Sequence, residues 1–342
     1  MKILVTGTEG YLGCLLAPLL IADGHEVVAV DTGFYKNGWL YNGLESTPFT
    51  LDKDMRDLTV EDFEGVDAVV AMAELSNDPV GDLVGPITFD INHKGSVHVA
   101  ETAKKAGVKR FVYMSSCSVY GVAEGDVDET SPVNPQTAYG ECKYLTEQDL
   151  WKMADENFHP TAMRNATAFG ASPRQRFDIV LNNLSGLAWV EKKIAMTSDG
   201  TPWRPMVHAL DICKSIRMVL EAPVEKVSGE AFNVGSYDNN YTVRQIAETV
   251  AQEFPGCELS FGAPGQDNRS YKVKFDKIEQ TLGFSCDWDL AKGAKQLHEV
   301  FEAIQLDAET FYGRGHTRLK QIEWLVNTGQ VDKQLFWKKV SA

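Results

Sequence analysis

The chain has 342 residues, 44% hydrophobic and 24% charged, enough apolar material for one large or two smaller packed cores and too much for disorder, collagen or a disulfide miniprotein. Its 33 Lys and Arg face 48 Asp and Glu, a formal net charge of -15 that argues against a general polyanion-binding surface and so against nucleic acid as a partner. The acidity is concentrated early: residues 1–100 hold 5 basic and 16 acidic side chains.

The apolar runs at 2–6, 26–30, 67–72, 109–115 and 159–163 predict strands, and amphipathic stretches near 11–23, 85–105 and 139–156 predict helices between them. This βαβ alternation implies an α/β fold, a doubly wound parallel sheet of the Rossmann type with helices on both faces. Pro18 falls inside the first helix and predicts an irregularity there. The Gly-, Pro-, Ser- and Asp-rich segment 121–138 reads as a loop delivering Tyr139 to a helix start. After about residue 170 the pattern loosens into α/β stretches near 209–221 and 231–253, separated by loops at 172–174, 199–205 and 255–265.

The tail 313–340 carries Arg314, Arg318, Lys320, Lys333, Lys338 and Lys339 among Trp324, Leu325, Phe336 and Trp337. It reads either as an amphipathic helix packed on the body or as a surface for a partner. The six cysteines show no C-x-x-C pair and no zinc spacing, so no metal is expected. Residues 1–5 show no secretory leader pattern, and the longest uncharged apolar stretch, Gly10 to Ala22, is shorter than the about 18–20 residues a bilayer span needs. The expectation is a cytoplasmic chain without a membrane partner.

Two patterns carry chemistry. The first follows the first strand: Gly7, Gly10 and Gly13 form a G-x-x-G-x-x-G loop opening a helix, where backbone N–H groups and the helix N-terminus favour a pyrophosphate. Asp31 ends the second strand 18 residues past Gly13, near the spacing at which an acid meets the adenosine ribose 2′-hydroxyl and repels a 2′-phosphate. With no cation following until Lys36, NAD is expected over NADP. Asp54 and Met55, after the next short strand-like run, are candidates for the adenine edge. The second pattern is Tyr139 and Lys143, which share a helix face at i and i+4. A nearby ammonium favours phenolate, so Tyr139 is a candidate base for a substrate hydroxyl. Ser115, Ser116 and Ser118 place hydroxyls at the carboxyl end of strand 109–115, where ligands of such sheets bind.

Together, Gly7-x-x-Gly10-Tyr11-Leu12-Gly13, Asp31, Asn92-x-x-Gly95, Ser115-Ser116-x-Ser118-Val119-Tyr120-Gly121 and Tyr139-x-x-x-Lys143 resemble the extended short-chain dehydrogenase/reductases, in particular the nucleotide-sugar epimerase/dehydratase family. The resemblance implies Ser116, Tyr139 and Lys143 as the catalytic set. It adds Tyr11, Leu12, Ala71, Ala73, Asn92, Ser115, Tyr139 and Lys143 to the cofactor neighbours, with Lys143 at the nicotinamide ribose, makes Ser116 a substrate contact, and places Asn183, Arg204 and Arg269 toward the substrate's nucleotide diphosphate. It further implies a homodimer through the helices at 85–105 and 139–156. Two parts are expected: a cofactor domain of 1–170 with 209–255, and a smaller substrate-binding domain of 171–208 and 256–342.

Departures from the family pattern narrow the chemistry. The Asp-Glu pair by which 4,6-dehydratases eliminate water is replaced by Cys117 and Ser118. The family's Arg-x-x-Asn motif ends here in Thr167, and Ala71-Met72-Ala73-Glu74 lacks the His often found there. Cys117 invites comparison with 3,5-epimerases that use a cysteine, although one place early, and also reads as a small packed thiol. The preferred function is NAD-dependent epimerisation of a nucleotide sugar at C4 through a 4-keto intermediate. Alternatives are a 4-dehydrogenase, ketoreductase or decarboxylase of the same family, and an NAD-binding regulator without catalysis.

Overall fold

The computed structural model describes residues 1–42, 47–76, 85–123, 125–264 and 270–338. Seven parallel strands form the main sheet: β1 (Lys2–Thr6), β2 (Glu26–Asp31), β3 (Thr50–Asp52), β4 (Ala68–Ala71), β5 (Arg110–Tyr113), β6 (His159–Asn165) and β7 (Glu230–Val234). Their order is β7-β6-β5-β4-β1-β2-β3, so the winding reverses between β1 and β4, the place where such sheets bind ligands at the strands' carboxyl ends. Adjacent residues of one strand enter different cores: Ile3 and Val5 pack on one face, Leu4 on the other. This two-residue alternation with apolar side chains both ways is what burial on two faces requires.

Helix α1 (Gly13–Ala22) runs through Pro18 without interruption. Its Leu16 and Leu20 share a core with Ile212, Ile216 and Val219 of a later helix, Ala209–Glu221. On the opposite face, α2 (Ser96–Lys105) contributes Val99, Ala100 and Ala103, and α3 (Ala138–Met153) contributes Leu150. The helix expected over 85–105 is divided: Gly85–Thr88 is α-helical, Phe89–Gly95 is a π-helical turn, and α2 follows. Inside that turn the buried Asn92 side chain accepts from Leu75 N at 2.8 Å and donates to Leu75 O at 3.0 Å, tying it to the end of β4. Helix α3 starts where the loop reading placed Tyr139, because the Thr137 side chain caps it by accepting from Gly140 N at 3.1 Å.

The second lobe contains a three-stranded sheet of Thr167–Phe169, Trp203–His208 and Asn240–Thr242. Against it pack α4 (Val180–Val190), α5 (Val243–Glu253) and α6 (Leu290–Ile304), whose Leu184, Ile246, Val250, Leu297 and Phe301 join Phe169 and Met206 in a third core. The packing does not follow the expected division at 209–255 and 256–342. Helix α5, expected with the cofactor part, belongs to this third core. Ile278 and Phe284 instead join the α1 face. The last helix, α7 (Arg318–Asn327), returns to the cofactor side through Ile322 and Leu325, followed by Val331 and Leu335. Periodicity shows that these segments bury a face; which core receives it is a tertiary outcome. Among the described residues, no helix is long and apolar enough to cross a membrane, and no group of His, Cys, Asp and Glu is arranged to hold a metal.

Candidate active site

A cavity of about 540 Å³ opens over the carboxyl ends of β1, β2, β4, β5 and β6. Its first wall is the glycine loop. Gly7 sits at φ +82°, a conformation that L side chains rarely adopt, and donates to Val30 O at 2.8 Å. A Cβ on Gly13 would lie 2.1 Å from Gly7 O, so helix and loop touch backbone to backbone. Gly10, Tyr11 and Leu12 complete this wall. Gly13→Ala is therefore expected to displace the loop and weaken NAD binding, read by calorimetry, and wild-type affinity in that variant would refute the close-packing role.

Asp31, at the end of β2, accepts from Glu9 N at 3.0 Å and Gly33 N at 2.8 Å. Burial pushes its pKa up, while these two N–H groups work against that shift. Thr6 Oγ1 accepts from Met72 N and Ala73 N, both at 3.1 Å, which pins the ends of β1 and β4 beside the cavity. Asp54 and Met55 line the cavity, although both Asp54 oxygens are engaged by Arg56, Nε at 2.9 Å and Nη2 at 2.8 Å. Ala73 is in the wall; Ala71 lies within β4 and Asn92 behind the wall, so neither lines the cavity. Close backbone approach at a helix N-terminus, an acid at the end of β2 and an elongated pocket between them fit a dinucleotide.

At the other end, Ser116, Tyr139 and Lys143 line the same space. The Ser116 hydroxyl accepts from Ser118 N at 3.1 Å, capping the short 3-10 turn Cys117–Tyr120 and holding its own Oγ in place. Lys143 Nζ lies 5.4 Å from the Tyr139 ring centroid, donates to Met114 O and pairs with Glu74 Oε2 at 2.7 Å. Glu74, with a side chain only 2% exposed, also accepts from Tyr113 OH at 2.8 Å. Burial pushes the Tyr139 phenol above its ordinary pKa. Lys143 pulls it down, Glu74 pushes it up, and Ser116 pulls it down again. For Lys143 burial acts downward, but Glu74 and Tyr139 win and raise its pKa. Glu74 was visible to sequence reading only as the absence of a His, because nothing in β4 announces its partner on α3.

Ser115 lines the cavity, but its hydroxyl donates to Glu147 Oε1 at 2.5 Å. Glu147 in turn holds Arg164, Nη2 to Oε2 at 2.7 Å, beneath the site. Cys117 is 1% exposed, its thiol 3.1 Å from Arg164 O and its pKa raised by burial, whereas Ser118 faces the cavity. Three sequence-derived substrate residues are not gathered here. Asn183 donates to Phe177 O at 2.8 Å and Arg204 to Trp203 O at 2.8 Å, both outside the wall, and Arg269 lies outside the described residues. The wall instead receives Arg176, paired with Asp178 at 2.9 Å, and Arg318 from α7. No local motif marks either arginine.

The family model described as "NAD dependent epimerase/dehydratase family" matches residues 3–235. A protein of Bacillus subtilis (strain 168) named UDP-glucose 4-epimerase is 27% identical over 288 residues, covering 76% of this chain and 84% of the relative. A second protein of the same organism, named an uncharacterized UDP-glucose epimerase, is 29% identical over 312 residues, covering 86% and 95%. Among solved structures, the UDP-glucose 4-epimerase of Thermotoga maritima with UDP-glucose superposes at a TM-score of 0.78 with 23% identity, covering 90% of this chain and 100% of that one. That likeness shows a shared fold. The family match spans β1 through β7 and every cavity-lining element up to the second lobe's small sheet, and the chain belongs to the NAD-dependent epimerase/dehydratase family, with NAD as its cofactor.

Proposed function

We propose that this protein is an NAD-dependent nucleotide-sugar epimerase that inverts C4 through a 4-keto sugar. One feature of the cavity wall carries the reading. Ser116, Tyr139 and Lys143 share it, while the two positions at which a dehydratase needs acids hold the buried Cys117 and the hydroxyl residue Ser118. Relatives named UDP-glucose 4-epimerase favour a uridine diphosphate sugar as substrate.

NAD, when bound, supplies the acceptor that takes the hydrogen of C4 and gives it back. The chain's own residues handle the proton and the geometry. Tyr139 Oη takes the proton of the 4-hydroxyl, and Ser116 Oγ hydrogen-bonds the same oxygen. Lys143 stabilises the phenolate, which burial alone disfavours. Gly7, Gly10 and Gly13 bring the loop backbone to the cofactor phosphates, and Asp31 takes its adenosine ribose. Asn183 and Arg204, which stand outside the cavity wall, and Arg269, outside the described residues, keep the nucleotide end of the substrate only by the family resemblance, while Arg176 is the guanidinium that the wall itself offers there. The homodimer through 85–105 and 139–156 and a cytoplasmic place belong to this reading. Six free cysteines, four of them buried, support the cytoplasmic place, and light scattering tests the dimer.

Incubating the protein with NAD and a panel of UDP-, GDP- and dTDP-sugars is expected to give, by NMR, a mixture of C4 epimers of one sugar without accumulation of NADH. A panel left unchanged, or net NADH formation, overturns the epimerase reading. Glu74→Gln should shift the pH profile of kcat/KM. Removing this negative charge lowers the pKa of both Tyr139 and Lys143, because Glu74 raises each of them. The limb governed by loss of the Tyr139 proton and the limb governed by loss of the Lys143 proton therefore both move to lower pH. An unmoved profile would show that Glu74 only packs.

A further inference from the structure

Arg318 is the first residue of α7 and is 4% exposed. It lies in the cavity wall with Asp31, Tyr35 and Arg176, its guanidinium carbon 3.9 Å from the centre of the Tyr35 ring. The neighbouring charges already have partners. Arg174 pairs with Glu9, Arg176 pairs with Asp178, and both Asp31 oxygens accept backbone N–H groups. Among the described residues the Arg318 side chain makes no hydrogen bond and no ion pair, only the stacking on Tyr35.

Three features make this an unfavourable place for a lone guanidinium. Burial pushes its pKa down to about 10; Tyr35 is the largest opposing influence, the Arg176 charge adds to the fall, and Asp178 and Asp31 oppose it less. The first turn of a helix repels a cation. The preceding Thr317 offers no side-chain cap to the helix start. A buried, unpaired charge is costly unless something compensates it, and an anion in the cavity would remove the cost.

The segment bearing Arg318 is fastened to the loop that follows Asp31. Gln321 Nε2 donates to Phe34 O at 2.8 Å, Trp337 Nε1 to Thr32 O at 2.6 Å, and Ile322 and Leu325 enter the core under β2 and β4. The segment 318–337 packs on the body and, through Arg318, enters the cavity wall. We infer that Arg318 is a cofactor-binding residue whose guanidinium takes the diphosphate of NAD, adding a charged fork to the backbone N–H groups of the glycine loop. Its company of Asp31 and Tyr35 assigns it to the cofactor and not to the substrate's diphosphate. The Asp31 carboxylate in the same wall opposes a 2′-phosphate as the ligand.

The inference rests on the NAD assignment but not on the epimerase reading, so it is tested by binding. Cofactor-stripped wild type and Arg318→Leu are titrated with NAD, NADP, ADP and UDP by calorimetry, and with adenosine by NMR. The variant is expected to lose about tenfold or more in affinity for NAD and ADP, the size of a lost charge-assisted hydrogen bond, with adenosine and UDP unchanged. Unchanged NAD and ADP affinity overturns the inference. So does a loss confined to UDP, which would assign Arg318 to the nucleotide sugar, or a loss confined to NADP, which would assign it to a 2′-phosphate. If thermal melting shows that Arg318→Leu does not fold, Arg318→Lys keeps the charge without the fork and is expected to show a smaller loss for NAD and ADP; equal affinity there also overturns the inference. A wild type that binds neither NAD nor ADP would refute the cofactor assignment itself.

Discussion

Tyr139→Phe is expected to lower kcat by about 10²–10⁴-fold, the usual contribution of a positioned acid or base, while NAD affinity stays near that of wild type. The substitution removes one oxygen from a ring that is held from both sides, by Lys143 Nζ at 5.4 Å from its centroid and by the helix that Thr137 caps. The glycine loop proposed to hold the cofactor phosphates lines the same cavity from another element and is untouched by the change. Measured kcat and calorimetric NAD binding together check this. Full turnover in the Phe variant would remove Tyr139 from the proton path, and a parallel loss of NAD affinity would mean that the phenol positions the cofactor instead.

The second large effect concerns stability. Arg164 and Glu147 form a pair with side chains 7% and 0% exposed, joined by bonds of 2.7 and 3.0 Å and extended to Tyr120 OH at 3.0 Å. Arg164→Met leaves the Glu147 carboxylate buried with only the Ser115 hydroxyl, and such half-broken pairs cost about 3–5 kcal/mol. Urea denaturation should show that loss. The double variant Arg164→Met with Glu147→Leu should recover part of it, because two apolar side chains leave no stranded charge. A loss under about 1 kcal/mol, the range of surface pairs, would show that water reaches this network. Since Ser115 precedes Ser116, the single variant should also disturb the end of β5 and lower kcat.

The negative charge of the chain, -15 overall, stands beside ligands that are themselves anions. On the proposed reading local donors resolve this: backbone N–H groups in the acidic first hundred residues, and the guanidiniums of Arg176 and Arg318 that later segments bring into the wall. Net charge therefore governs what the exterior repels, and the cavity wall governs what binds.

Strands β1, β2, β4, β5 and β6, the glycine loop, Asp31 and the Tyr139–Lys143 pair were legible in the sequence, because each depends on spacing along one element: two residues per strand repeat, four per helix turn, three between glycines. The helix over 85–105 shows the limit of that rule. Its apolar period is correct, yet Asn92 reaches across to Leu75 and a π-helical turn interrupts it. The tertiary structure alone decided that Glu74 meets Lys143, that Asn183 and Arg204 stand outside the wall while Arg176 enters it, and that α5 and α7 exchange the lobes expected for them. These outcomes join residues tens to hundreds of positions apart, where an amphipathic pattern reveals that a face will be buried but carries no information about which surface covers it.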